Sequence, residues 1–403
     1  MFKKLLSLVI AVVMVASLCT ALASCGYRDD GVFRLGVILL HDEDSTYDLN
    51  FIEAVNRAAE ALGLTEEQVI FKKGIPESNE CYEAAADLVD MGCDVIFADS
   101  FGHETYIIKA AKKFKKVQFC HATGTMAHTE KLPNYHNAFA SIYEGRYLAG
   151  VAAGLKLNEM IAEKKITAEQ AKIGYVGAFT YAEVISGYTS FFLGARSVCP
   201  SATMEVQFTG TWYDETKEKD AATALINNGC VLISQHADSM GAPSVCEERE
   251  IPNVSYNGST VKSCPKTFII SSKIDWTPYF KYICESVQNG TEIKTDWTGT
   301  LQTGSVALAE VNTAAAAEGT QAYIDDIKAK LISGEIKVFD TSTFTVNGET
   351  LTSYKADVDT DADYAKDTEV IKDGYFHESE YRSAPYFDIQ IDGIKLLNTE
   401  FGD

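Results

Sequence analysis

The sequence predicts an α/β protein of two domains with like topology, each built on a parallel, doubly wound sheet. Short apolar runs alternate with amphipathic helical patterns from Leu35 onward, and the alternation restarts after Ala140. Strands that are apolar on both faces are typical of a sheet covered by helices on both sides. The two halves are also similar in sequence. Residues 88–96 and 225–233 each predict the end of a helix, a glycine turn and an apolar strand.

In the first half, four predicted strands alternate with three predicted helices. The strands are short apolar runs at 35–40, 69–71, 95–98 and 117–120. The helices have apolar residues at helical spacing and cover 48–62, 81–91 and 105–114; Gly63 marks the end of the first. Phe51 lies on the apolar face of that helix, and we expect it in the core.

The second half repeats this order. Helices are predicted at 141–157, 183–198, 215–227 and 242–248, and strands at 173–177, 205–208, 231–234 and 254–256. Tyr175, inside the first of these strands, is expected in the core. Beyond them we expect a strand at 268–270, helices at 276–289 and 321–332, a hairpin at 344–352 on Asn347-Gly348, an acidic turn-rich segment at 354–373 and a strand at 387–391.

These elements suggest a division of the chain. Residues 34–140 with about 260–300 form the N-terminal lobe, and 141–259 with about 301–340 form the C-terminal lobe. Residues 341–403 form a hairpin and acidic tail packed on the lobes.

The N-terminal segment predicts a secretory signal with a lipidation site. Lys3 and Lys4 precede an apolar run over 5–23, which ends in Leu-Ala-Ser-Cys-Gly. This ending resembles the lipobox of bacterial lipoproteins, which implies removal of residues 1–24, acylation (palmitate included) of Cys25 and a tether over 25–33. A plain transmembrane helix is the weaker alternative, because small residues precede the cleavage point and polar ones follow it. We therefore expect a lipid-anchored protein on the extracytoplasmic face of a bacterial membrane.

Charge and cysteine usage narrow the possible partners. The formal net charge of −22 over 403 residues disfavours nucleic acid and anionic lipid headgroups. Of ten cysteines, Cys19 and Cys25 belong to the signal, and the others are scattered without metal-ligand spacing. We interpret them as small buried hydrophobes with free thiols, with disulfides as the alternative.

A ligand site is expected where the strands end. In doubly wound sheets ligands bind beyond the carboxyl ends of the strands. The loop after residue 98 carries Ser100 and Phe101, and the equivalent loop after residue 235 carries His236 and Asp238. Five further candidate ligand-binding residues follow other predicted strands: Tyr47, Glu183, Trp212, Asn257 and Trp276. Aromatic rings clamp a flat ligand by stacking, while a few polar groups fix its orientation.

Each candidate has an ordinary structural alternative. Trp212 and Trp276 would also suit the covered edge of a domain. Glu183 would also suit the first turn of its helix, where acidic residues are favoured. Five other histidines are more often loop residues than ligands: His41, His103, His121, His128 and His136.

These loops resemble those of the basic membrane lipoprotein family, the substrate-binding lipoproteins of ABC importers. The resemblance runs from Leu35 to about Asp340. Its characteristic stretches are Ile-Gly-Tyr-Val-Gly at 173–177, Trp-Tyr-Asp-Glu-Thr-Lys-Glu at 212–218, Gln-His-Ala-Asp-Ser at 235–239 and Trp-Thr-Pro-Tyr at 276–279. It is similar to the purine-associated branch of that family.

The resemblance implies a type I periplasmic-binding fold, with two α/β lobes that close on one ligand about a hinge. It implies a purine base or nucleoside as ligand and permease subunits of an ABC importer as partners. We further expect no cofactor, no metal and a monomer. It assigns stacking roles to Tyr47, Phe101, Trp212 and Trp276, and polar roles to Ser100, Glu183, His236, Asp238 and Asn257.

Three other functions stay open at the level of sequence. A sugar or autoinducer-type receptor would use the same architecture. A surface adhesin is compatible with the lipid anchor. An enzyme is less favoured as a class, because no nucleophile elbow, zinc-protease, Walker A or dinucleotide motif is present. A nucleoside or glycoside hydrolase stays open, because it needs only a pair of carboxylates and has no such motif. The aspartates at 357–363 resemble a calcium loop, but Ala362 and Thr368 replace its glycine and glutamate, so we interpret a solvated acidic loop.

Overall fold

The computed structural model describes residues 30–358 and 365–401. The predicted signal, its lipidation site at Cys25 and most of the acidic loop at 357–363 lie outside the described residues. None of the described helices is both long and apolar enough to cross a membrane.

The first lobe contains a sheet with helices on both sides. Its elements are β1 (Leu35–Ile38), α1 (Thr46–Leu62), β2 (Val69–Lys72), α2 (Asn79–Asp90), β3 (Val95–Ala98), α3 (Glu104–Lys113), β4 (Gln118–Ala122), the short α4 (Ala127–Glu130) and β5 (Tyr135–Ala140). Helix α1 begins two residues earlier than predicted, because Ser45 caps it by accepting a hydrogen bond from Asp48 N–H.

The second lobe repeats this order. Its elements are α5 (Ile142–Ala162), β6 (Lys172–Gly177), α6 (Ala182–Val198), β7 (Thr203–Phe208), α7 (Glu215–Asn227), β8 (Leu232–Gln235), α8 (Gly241–Arg249), β9 (Asn253–Tyr256) and β10 (Phe268–Ile274). Further along the chain come α9 (Thr277–Asn289), β11 (Asp296–Gly299), β12 (Val306–Leu308) and α10 (Thr320–Ser333).

The two sheets have the same strand order among the described residues. It is β2-β1-β3-β4-β5-β11 in the first lobe and β7-β6-β8-β9-β10-β12 in the second. The repeated glycine junctions are equivalent too, since Gly92 and Gly229 have φ of 85° and 88°. The cysteine after each glycine donates its N–H to the carbonyl of a leucine near the end of the preceding helix, at 3.0 Å in both lobes. The predicted pair of like domains is confirmed.

The chain passes between the lobes three times, at β5–α5, β10–α9 and β11–β12. Strand β10 pairs in parallel with β9, so residues 268–274 belong to the second lobe. The predicted return to the first lobe near residue 260 is therefore wrong; it comes after Ile274, where α9 packs against α1. Apolar periodicity marks a strand but not the sheet it joins.

The C-terminal tail packs on the lobes and also extends the second sheet. Strand β17 (Ile394–Leu396) pairs in parallel with β7, and four two-residue strands precede it: β13 (Lys355–Ala356), β14 (Thr368–Glu369), β15 (Ile371–Lys372) and β16 (Tyr375–Phe376). The predicted strand at 387–391 is wrong, since these residues are irregular. The predicted turn is present: Asn347 and Gly348 have φ of 51° and 83°, and Val346 bridges Glu349.

The cores lie on both faces of each sheet, with Phe51 and Tyr175 fully buried as predicted. The eight cysteines after the signal are buried and free, which confirms their interpretation as small hydrophobes. Helices α5 and α6 lie in close contact, because a Cβ on Gly150 would come within 1.9 Å of the Phe191 carbonyl oxygen. This contact holds α5 against the second lobe.

Candidate functional site

A cavity lies between the lobes at the points where the strand order reverses. The loops after β1 and β3 reach it from the first lobe, and those after β6 and β8 reach it from the second. These are the switch points at which doubly wound sheets bind ligands. The walls of this cavity are Leu40, His41, Tyr47, Asp48, Ser100, Phe101, Thr123, Glu183, Trp212, His236, Asp238 and Tyr256.

In the first lobe Tyr47 lies in the opening turn of α1. Its hydroxyl donates to the Asp99 carbonyl at 2.8 Å, and its ring packs edge-on against Phe51 with 4.9 Å between centroids. Both contacts fix the ring at the cavity wall. Burial, followed by the charges of Glu183 and Asp99, raises the pKa of Tyr47 well above its usual value, so the phenol is neutral.

The hydroxyl of Ser100 is used in a hydrogen bond within the first lobe. Its hydroxyl donates to Glu77 Oε1 at 2.5 Å, and the same oxygen accepts from Gly102 N–H at 2.7 Å. The loop after β3 is therefore held by Glu77. This contact leaves the Ser100 hydroxyl oxygen only as an acceptor toward the cavity.

Aromatic rings from both lobes line one side of the cavity. Phe101 of the first lobe stacks on Tyr181 of the second, with centroids 5.0 Å apart. Phe179 stacks on the same tyrosine at 5.1 Å and meets Trp212 edge-on at 4.9 Å. The indole of Trp212 is thus braced from behind and presents a half-buried face to the cavity.

The polar side of the second lobe consists of Glu183, His236 and Asp238. Glu183 Oε1 lies 3.5 Å from His236 Nε2. Burial lowers the pKa of His236, which favours the neutral ring. Burial and the charges of Glu218, Asp48 and Glu183 raise the pKa of Asp238 well above its usual value, so its carboxyl can donate as well as accept.

Direct contacts join the lobes at the rim of this cavity. The Asp238 carbonyl accepts from both the N–H and the hydroxyl of Thr46, each at 3.0 Å. The rings of His41 and Tyr213 lie 5.3 Å apart. The lobes therefore enclose the cavity in a closed arrangement.

Seven of the nine predicted site residues lie on the cavity wall: Tyr47, Ser100, Phe101, Glu183, Trp212, His236 and Asp238. Asn257 is one step removed, where its amide donates to Asp238 Oδ1 at 3.3 Å. Trp276 is not brought to the cavity. It is 1% exposed and stacks on Phe51 at 4.7 Å, so the structure corrects its expected stacking role to one in the core.

Sequence reasoning did not select five wall residues: Leu40, His41, Asp48, Thr123 and Tyr256. Asp48 is buried in the first turn of α1, and its Oδ1 accepts from His41 N–H at 2.8 Å. Burial opposes ionisation of Asp48, but hydrogen bonds from His41, Asp99 and Ser45 outweigh it and lower the pKa. An acidic residue in a first helical turn beside a strand end was the signal that could have identified it.

This arrangement suits reversible capture of a small molecule. Rings line one side of the cavity and acceptor-rich side chains line the other. Among the described residues, no lysine or arginine belongs to the wall. Two lobes of repeated topology, joined by three crossovers around such a cavity, define a bilobal solute-binding protein of the type I periplasmic-binding fold.

Comparison with known proteins gives the family. Residues 36–342 match the Bmp model, described as ABC transporter substrate-binding protein PnrA-like. The chain belongs to this family of ABC transporter substrate-binding proteins, whose members work outside the cytoplasm with membrane permeases. The predicted family and fold are confirmed.

Individual relatives agree with this assignment. A purine-binding protein of Brucella abortus is 32% identical over 288 residues, which is 71% of this chain and 77% of the relative. A putative ABC transporter glucose-binding protein of Haloferax volcanii is 33% identical over 217 residues, 54% of this chain; the match spans only 52% of that relative. A solute-binding protein of an ABC transporter system from Aeropyrum pernix has the same fold, with a TM-score of 0.64, 17% identity, and coverage of 76% of this chain and 93% of the other.

Proposed function

We propose that this protein captures a purine base or nucleoside between its lobes and presents it to the permease of an ABC importer. The observation that carries the proposal is the pairing of a braced aromatic wall with carboxyl groups in one interlobe cavity. The likeness to a purine-binding protein over most of both chains supports it.

The cavity chemistry favours a flat, neutral ligand with several N–H or O–H donors. Trp212, Tyr47 and Phe101 offer faces on which a heterocycle can stack. Asp48 and Glu183 offer acceptors for ring N–H, amino or ribose hydroxyl groups. Because the wall combines carboxylates with no lysine or arginine among its described residues, it disfavours phosphorylated ligands.

Closure requires no covalent step. A ligand that touches both lobes stabilises the closed arrangement by its differential affinity for it. The closed lobes are then the form that the permease recognises. We infer further that the mature chain is a monomer tethered by a lipid on Cys25, with no enzymatic activity.

Calorimetry on the refolded protein tests the ligand class. The panel is adenine, hypoxanthine, guanine, their nucleosides, ribose and glucose. We expect one or more purines to bind in the micromolar range or tighter, and Trp212→Ala and Asp238→Ala each to weaken binding by about 10-fold or more. Trp297→Phe is the matched control, because this partly buried tryptophan packs on Tyr279 away from the cavity. If neither variant at the site changes affinity, the site assignment fails.

A sugar ligand is the second candidate. The relative from Haloferax volcanii carries a glucose-binding description, and aromatic faces with carboxylates also suit a pyranose. Binding of glucose or ribose with no response to any purine would select this alternative.

A further inference from the structure

A buried arginine lies directly behind the site, although it is not part of the cavity wall. Arg146 projects from the first turns of α5 and is 1% exposed. Its Nη1 donates to the Gln235 carbonyl at 3.0 Å, and its guanidinium lies 3.2 Å from the centroid of the Tyr256 ring. Its Nη2 lies 3.0 Å from His236 Nδ1. The same helix is the crossover that leads from the first lobe into the second.

The chemistry of arginine decides the state of His236. A guanidinium has five N–H donors, no acceptor, and stays charged in proteins. His236 Nδ1 must therefore accept the hydrogen bond, which leaves the ring proton on Nε2. That nitrogen is the one beside Glu183 Oε1, at 3.5 Å. Burial, helped by the arginine charge, outweighs the contact with Glu183 and lowers the pKa of His236, consistent with a neutral ring.

We propose that Arg146 is a positioning residue that holds His236 as the Nε2–H tautomer, so that the second lobe presents a donor next to the Glu183 acceptor. This inference rests on the proposed function and specifies which feature of the ligand is read. The edge of the ligand that complements His236 and Glu183 carries a hydrogen-bond acceptor next to a donor. Adenine and hypoxanthine have such edges, whereas an unsubstituted purine ring linked through N9 offers acceptors alone.

The environment of the histidine supports a fixed ring. Gly187 of α6 lies against it, so that a Cβ there would be 3.1 Å from His236 Nδ1. Tyr256 packs on the ring at 4.9 Å, and the backbone N–H of His236 bonds the Val176 carbonyl at 2.8 Å. The imidazole therefore has little space to rotate and exchange its two nitrogens.

Nitrogen NMR of the histidine rings in the whole protein gives the first test. At neutral pH we expect His236 to show a protonated Nε2 and an unprotonated Nδ1, with a mixture of tautomers in Arg146→Met. The matched control is Arg196→Met, because Arg196 lies over the Phe192 ring on α6. A proton on Nδ1, or an imidazolium, in the unaltered protein would overturn the proposal without any variant having to fold.

Calorimetry with adenosine, inosine and nebularine gives the second test. The better of adenosine and inosine should bind about 10-fold or more tightly than nebularine, which lacks a base donor. In Arg146→Met this ratio should fall below about threefold, while Arg196→Met preserves it. An unchanged ratio in Arg146→Met contradicts the inference. If no purine binds at all, the proposed function fails, and the tautomer measurement still decides the role of Arg146.

Discussion

Thr46 and Asp238 connect the two lobes through a single oxygen atom. The Asp238 carbonyl accepts the N–H and the hydroxyl of Thr46, each at 3.0 Å. Thr46 is the first residue of α1, and Asp238 follows β8, so the contact joins the switch points of both sheets. The backbone of a predicted binding residue thereby serves as a closure contact, while its carboxyl faces the cavity.

Loss of the Thr46 hydroxyl should weaken ligand binding by destabilising closure. Thr46→Val retains the backbone hydrogen bond and the shape of the side chain, and it removes one hydrogen bond of about 1 kcal/mol, or about fivefold in affinity. Calorimetry and stopped-flow release of the bound purine measure the change, which we expect in the dissociation rate. Thr320→Val is the control, because its hydroxyl bonds Ala317 far from the cavity. Equal affinity in both variants would exclude a closure role for the contact.

Trp276 should contribute to stability and not to ligand contact. Its indole lies among Phe51, Phe97 and Phe139, at 4.7, 5.9 and 6.3 Å between centroids. Trp276→Ala should cost about 3–5 kcal/mol of unfolding free energy, since it leaves a large cavity in the core. Trp276→Phe should retain most of the stability. Urea unfolding checks both values, and a Trp276→Phe protein that folds normally but loses ligand affinity would show that the indole belongs to the site.

Two glycines of α6 should separate binding from stability. Gly187→Ala places a methyl group 3.1 Å from His236 Nδ1, so the imidazole ring must shift by a few tenths of an ångström. The affinity for the ligand should therefore fall. The free energy of unfolding should be unchanged or higher, because alanine favours a helix over glycine by about 1 kcal/mol. Gly194→Ala would put a methyl group 2.0 Å from the Tyr147 carbonyl oxygen. It forces α5 and α6 apart and should cost about 3 kcal/mol or more.

Thermal unfolding and calorimetry on this pair test the distinction. Each variant is the control for the other, since both add one methyl group to the same helix. Equal losses of stability in the two variants would contradict the expected difference.

Stability should fall as pH rises from about 4.5 to about 7, through Glu218. Burial raises the pKa of this carboxyl to about 7, so the folded state retains a proton that the unfolded state releases near 4.5. The favourable contribution is therefore complete below pH 4.5 and lost above about pH 7, with a size of about 3 kcal/mol. Glu218→Gln should flatten this part of the profile.

Urea unfolding at a series of pH values between 4.5 and 8 measures that slope. Glu215→Gln is the control, because Glu215 is exposed in the same helix. An identical slope in the Glu218→Gln protein would place the titration elsewhere; Glu144 and Glu378, whose pKa values burial raises to about 7 and about 8, are the residues to examine next.

Much of the site could be predicted because strand ends in a parallel sheet converge at one edge. Ser100 and Phe101 follow β3, and His236 and Asp238 follow β8, so recognition of the strands placed these loops together. Trp276 also follows a strand, but it is the N-cap residue of α9, which returns to the first lobe and packs on α1. The lobe against which α9 packs cannot be read from the residues near Trp276.

Residue patterns were sufficient to predict the alternation of strands and helices, the duplicated lobe and the loops that carry most of the cavity wall. These properties depend on residue periodicity and glycine turns, which act over a few neighbouring residues. Three features became visible only in the folded protein: the sheet that β10 joins, the burial of Trp276, and the contact of Arg146 with His236, 90 residues apart in the chain. Such pairings depend on how whole elements pack against each other, and no local pattern of residues specifies that packing.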